Sequence, residues 1–216
     1  MLISIPFLLI TFTVYAVEPE LRNMYGKSLM CYIASLAFLY VLLIVTQNSQ
    51  HYMPECSFCC KLLASSSYFA TMSSFFWLNV MSYEIFSTIR ESFRGYRKIQ
   101  DKNRFTVYCL YAFGSATVLT LALYILDSTS LISEQLRPQM GTEICWIKKI
   151  KINEFFYFYY PILLILCANL TMFLIAVCQL YKYQIETSFL RTGNSQTHFN
   201  TNAKKDRLVL VLCLTQ

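Results

Sequence analysis

The chain has 216 residues, of which 56% are hydrophobic, 16% aromatic and 14% charged, with a formal net charge of +6. A soluble globular domain carries roughly a quarter of its residues charged. The composition therefore excludes that class and predicts a polytopic membrane protein. A hydrocarbon core of ~30 Å asks for about 20 helical residues per crossing, because a helix must satisfy its own backbone groups in lipid.

In chain order the predicted spans are 1–17, 28–46, 62–89, 105–126 and 155–180, and a last apolar run at 208–216 reaches only ~14 Å as helix. The fold class expected is all-α: a transmembrane helix bundle of five spans plus the start of a sixth. Between 193 and 203 the chain is polar and without apolar periodicity, as a linker would be.

Orientation follows from the basic residues. If the first span runs from outside to inside, the inner segments hold thirteen of the 18 Lys and Arg: Arg22 and Lys27, then Arg90, Arg94, Arg97, Lys98, Lys102 and Arg104, then Lys182, Arg191, Lys204, Lys205 and Arg207. Lys61, Arg137, Lys148, Lys149 and Lys151 fall outside. This positive-inside bias predicts an outer N-terminus. A rival reading takes Met1 to Ala16 as a cleaved signal peptide, but the run lacks a positive n-region, and cleavage would place the thirteen basic residues on the wrong face.

Five of the nine cysteines, Cys31, Cys109, Cys167, Cys178 and Cys213, fall in apolar runs, where a thiol acts as a small apolar side chain. Cys56, Cys59, Cys60 and Cys145 fall on the outer, oxidising side. A bond from the head of the third span to the loop holding Cys145 would pin that loop across the bundle mouth. No metal centre is expected, since the two histidines, His51 and His198, fall on opposite sides of the membrane.

Polar residues within spans are few. Glu84 is costly in lipid, so it should face the bundle interior or reach headgroups and Arg90 near the inner interface. Trp77, Val80 and Glu84 share one helical face. Asn79 and Asn169 suit helix-to-helix hydrogen bonding better than ligand binding, and Pro161 should bend or cap the fifth span. No catalytic constellation is present, so no enzyme is expected, nor any cofactor or nucleic-acid partner. A transporter or channel ranks third, because Glu84 is the one charged residue placed within a span.

A series of short motifs then carries a resemblance. Ser4-Ile5-Pro6-Phe7-Leu8-Leu9 leads through Val14-Tyr15-Ala16 to Pro19-Glu20-Leu21-Arg22-Asn23. Gly26-Lys27 with Cys31-Tyr32, Tyr68-Phe69, Phe75-Phe76-Trp77-Leu78 and Glu84-Ile85-Phe86 follow in order. Tyr111-Ala112-Phe113-Gly114, Cys145-Trp146, and Pro161 with Asn169 and Phe173 complete the series. Together these resemble the insect Methuselah-like receptors, a branch of the secretin-like seven-span G-protein-coupled receptors. Phe113 stands where that family usually has Trp, Tyr160 where Gly often precedes the proline, and Met81 where the wider family is acidic.

The resemblance implies that Cys60 pairs with Cys145, with Cys59 as the fallback partner. It implies a plasma-membrane receptor that relays an extracellular ligand, a peptide among the classes allowed, to a cytoplasmic G protein. Arg94, Arg97, Lys98, Lys204, Lys205 and Arg207 become candidates for contact with that G protein or with anionic lipid, topology and lipid being the commoner role for any one of them. On this register residues 1–216 form one partial seven-span domain, with an extracellular domain, most of span six and span seven expected outside it. An alternative from another class is a truncated, non-signalling membrane protein that associates with full-length receptors.

Overall fold

The computed structural model describes residues 4–49, 57–93, 103–129, 137–140, 145–147 and 151–191. Among these the structure is helical: α1 (Ser4–Val17), a 3-10 turn (Pro19–Leu21), α2 (Met24–Ser49), α3 (Ser57–Phe93), α4 (Arg104–Ser128) and α5 (Lys151–Glu154). A π-helical turn (Phe155–Tyr159) then leads without a break into α6 (Tyr160–Arg191). The run predicted at 208–216 and the linker at 193–203 lie outside the described residues.

Among the described residues three helices are long and apolar enough to cross a membrane: Met24–Gln47, Arg104–Ser128 and Phe155–Lys182. Helix α1 is apolar but shorter, and α3 is long enough but too polar. The reason lies in packing. Helix α3 contacts α2, α4 and α6, whereas α1 packs mainly on α2. Lipid sees little of α3, so it tolerates serines that a lipid-facing helix would not gain from.

Those serines are also what lets neighbouring helices approach. Ala64, Ser67, Ser73 and Ser74 are buried along α3, and small side chains at an interface permit close backbone contact in membranes. The Ser74 hydroxyl donates to Thr71 O (2.7 Å) and the neighbouring Thr71 hydroxyl to Ser67 O (2.8 Å), whereas Ser67 Oγ has no hydrogen-bond partner among the described residues. The Ser73 and Ser35 hydroxyls meet at 3.3 Å, joining α3 to α2. By contrast α4 and α6 turn Leu110, Val118, Leu121, Leu163, Leu170 and Phe173 outward, as a bundle immersed in lipid requires.

The core is aromatic and centres on Trp77, which is fully buried. Its ring meets Phe113 edge-on at 5.4 Å and lies 6.3 Å from Phe105, both on α4. The turn from α1 to α2 depends on Gly26: Asn23 Oδ1 accepts the Gly26 amide (2.7 Å) as an N-cap, and a Cβ on Gly26 would run into the Leu21 carbonyl.

Candidate functional site: polar clusters along the third helix

Three polar clusters sit along α3. Two link it to α4 at opposite ends, and the middle one adds α6.

At one end, Cys60 is disulfide-bonded to Cys145 across a sequence separation of 85. Cys59 is also disulfide-bonded, so it does not compete for Cys145. One residue on, Lys61 Nζ lies 3.2 Å from Asp127 Oδ2 near the end of α4. The other Asp127 oxygen accepts the Met140 backbone amide (3.1 Å). The Arg137 guanidinium donates to Thr129 O (2.8 Å), and Asn153 Nδ2 to Arg137 O (2.9 Å). Residues 137–140 and 145–147 are therefore held by a covalent bond, a buried carboxylate and backbone contacts. Within them Met140, Cys145 and Ile147 are buried.

Trp146 extends this end to α6. Its ring meets Phe158 of the π turn edge-on at 5.3 Å. Pro161 neither caps nor ends the fifth span, since the helix runs through it. Instead the register changes just before it, with the Tyr160 amide bonded to Phe155 O.

In the middle, Asn79 uses both ends of its amide. Its Nδ2 donates to Asn169 Oδ1 on α6 (2.9 Å), and its Oδ1 accepts the Tyr111 hydroxyl from α4 (3.0 Å). One buried side chain thereby ties three helices. Asn169 Nδ2 and Trp77 Nε1 have no hydrogen-bond partner among the described residues.

At the opposite end, Glu84 is 6% exposed. It accepts the Tyr108 hydroxyl (2.6 Å), and Arg104 Nη2 stands 3.4 Å from the same oxygen. Arg104 also donates to Ser87 Oγ (2.9 Å), Ser87 donates to Glu91 (3.0 Å), and Arg104 lies 3.9 Å from Glu91. The cationic partner of Glu84 is thus Arg104 of α4. Arg90, the partner proposed from sequence, is exposed. A cavity of about 440 Å³ opens beside Glu84, lined also by Asn23, Met24, Tyr25, Ile85, Thr88 and Ile89.

Of the remaining candidates, Arg94, Arg97, Lys98, Lys204, Lys205 and Arg207 lie outside the described residues. Cys31, Cys109 and Cys167 are free thiols, but Cys178 is disulfide-bonded and is no simple apolar thiol. No group of His, Cys, Asp and Glu able to hold a metal occurs among the described residues. Sequence reasoning missed Lys61, Asp127, Arg104, Tyr108 and Tyr111 as partners. The signal for the last group was present: Arg104, Tyr108 and Tyr111 fall at i, i+4 and i+7, one polar stripe on an otherwise apolar helix.

Comparison with known proteins places this arrangement. The family described as 7 transmembrane receptor (Secretin family) matches residues 1–215. The chain is 34% identical over 215 residues to the G-protein coupled receptor Mth2 of Drosophila yakuba, covering 99% of this chain and 39% of that protein. It is 33% identical over 208 residues to the probable G-protein coupled receptor Mth-like 10 of Drosophila melanogaster, covering 96% and 35%. With the G-protein coupled receptor Mth of Drosophila melanogaster it shares 32% identity over 178 residues, 81% and 33%. The chain spans about two fifths of the length of the first of these relatives.

Proposed function

The chain belongs to the secretin family of seven-transmembrane receptors, and from that premise we propose that it supplies the membrane-crossing helices through which a receptor of Methuselah type passes an extracellular signal to a G protein. The disulfide end of α3 then faces outward, where oxidation is maintained, and the Glu84 end faces the cytoplasm, beside the basic segments. The N-terminus of α1 lies outside, and the membrane is the plasma membrane.

The observation that carries this reading is the contrast between the two ends of one helix pair. Outside, a loop is fixed by Cys60–Cys145 and by Asp127. Inside, the polar contacts between α3 and α4 run through Glu84, Arg104, Ser87, Glu91 and Tyr108, a set of side chains that can exchange partners. A ligand seated on the fixed end shifts the population toward an arrangement in which the Glu84 cluster opens, by as much as its affinity differs between the two states. The cavity beside Glu84 forms part of the surface then offered to the G protein, for which the sequence supplies Arg94, Arg97 and Lys98 as further candidate contacts.

The test is agonist-independent nucleotide exchange by a panel of G proteins, using the full-length receptor in lipid nanodiscs. The reading expects basal exchange that rises severalfold in Glu84→Gln. A receptor that is folded and disulfide-bonded, yet promotes no exchange with any G protein in either form, contradicts it.

A further inference from the structure

Pro161 removes one rung from the backbone of the α5–α6 run. It has no amide to give the Tyr157 carbonyl four residues earlier, and its ring crowds that carbonyl. The chain responds with the π turn at Phe155–Tyr159, and such turns sit where a helix ladder is interrupted. On α3, eighty-nine residues away in sequence, the Tyr68 hydroxyl donates to that same Tyr157 carbonyl at 2.9 Å. Tyr68 is 2% exposed, so its hydroxyl has no water to turn to, and losing the Tyr157 carbonyl would strand that hydroxyl.

The turn is held from its other side by the disulfide-bonded loop. Phe158 lies between Tyr68 (6.5 Å, tilted) and Trp146 (5.3 Å, edge-on), and Trp146 follows Cys145 in the chain.

We propose that Tyr68 is a positioning residue that sets the register of α6, and that the π turn is a hinge gripped jointly by Tyr68 and by the loop bearing Trp146. The grip gives a path by which displacement of the Trp146 ring changes the seating of α6 against α3 while the loop stays tethered by its disulfide. Drawing Trp146 off Phe158 frees one side of the turn. The Tyr68 hydroxyl then decides whether the π register holds or relaxes. Transmission of a ligand signal through this hinge rests on the receptor reading above; the hinge itself does not.

The test is amide hydrogen exchange followed by mass spectrometry on the protein in lipid nanodiscs, with the Cys60–Cys145 bond intact. Tyr68→Phe removes one hydroxyl and keeps the ring, so folding survives. Exchange across 155–165 is expected to rise roughly tenfold, the factor that one buried hydrogen bond corresponds to, while 104–128 is unchanged. Pro161→Ala restores an amide to the ladder, and in that background Tyr68→Phe is expected to change exchange less than about twofold. An increase of the same size in both backgrounds, or one spread evenly over α4 and α6, would make Tyr68 an ordinary packing residue and overturn the proposal. This outcome is independent of the nucleotide-exchange assay, so failure of the hinge and failure of the receptor reading are told apart.

Discussion

The two ends of the α3–α4 pair are charge-swapped versions of each other. At the disulfide end the cation, Lys61, is on α3 and the acid, Asp127, on α4, 3.2 Å apart. At the opposite end the acid, Glu84, is on α3 and the cation, Arg104, on α4, 3.4 Å apart. What surrounds them differs. Asp127 also holds a backbone amide of a covalently tethered loop, whereas among the described residues Glu84 and Arg104 are held by side chains, those of Tyr108, Ser87 and Glu91. One ion pair is thus built into a fixed end, and the other into an end that rearranges by rotating side chains.

The largest effect expected comes from opening the fixed end. A bond closing a loop of 85 residues is worth about 4–5 kcal/mol by chain entropy. Cys60→Ser with Cys145→Ser should therefore lower the thermal unfolding midpoint in nanodiscs by several degrees or more. An unchanged midpoint would show that Asp127 and the backbone contacts hold the loop unaided.

Next comes the opposite end. Glu84→Ala removes the carboxylate 3.4 Å from the Arg104 guanidinium, which is only 18% exposed, and leaves Glu91 at 3.9 Å. Stranding a buried charge is costly, so a loss of about 2–4 kcal/mol is expected in chemical unfolding, smaller for Glu84→Gln. At the disulfide end, Asp127→Ala should cost less, about 1–2 kcal/mol, because the Lys61 side chain is 37% exposed and reaches water. Equal losses at the two acids would break the comparison.

The smallest effect belongs to the middle cluster. Asn79→Ala removes two hydrogen bonds, but such bonds in membrane bundles average about 0.6 kcal/mol each. A loss near 1 kcal/mol is expected, and a double-mutant cycle with Asn169→Ala should recover roughly half of it as coupling.

The sequence reveals the bundle more readily than it reveals these contacts. Apolar runs at 28–46 and 105–126 correspond to α2 (Met24–Ser49) and α4 (Arg104–Ser128) because lipid-facing helices must be apolar throughout. Helix α3 is read by another route, since its serines make sense only once its central position is known. The burial of Trp77, Val80 and Glu84 follows from their shared face. The partner of Glu84 does not follow so simply. Arg90 is near in sequence, but six residues on a helix turn it about 120° away from Glu84, and the cation comes from α4 instead. Asp127 and Tyr68 were legible only as residue types. Their roles depend on the loop path and on the π turn, which arise from tertiary packing and from Pro161 together.

The measurement that tests the contrast most directly is a pair of distance distributions from genetically encoded spin labels in nanodiscs. One pair spans the disulfide end of α3 and α4 at Phe58 and Tyr124, and the other spans the opposite end at Ile85 and Val107, all exposed positions. Between the native sequence and Glu84→Gln, the second distribution is predicted to broaden and lengthen by several ångströms while the first stays fixed. If both pairs keep their distances, or both shift together, the two ends are equivalent and the account fails.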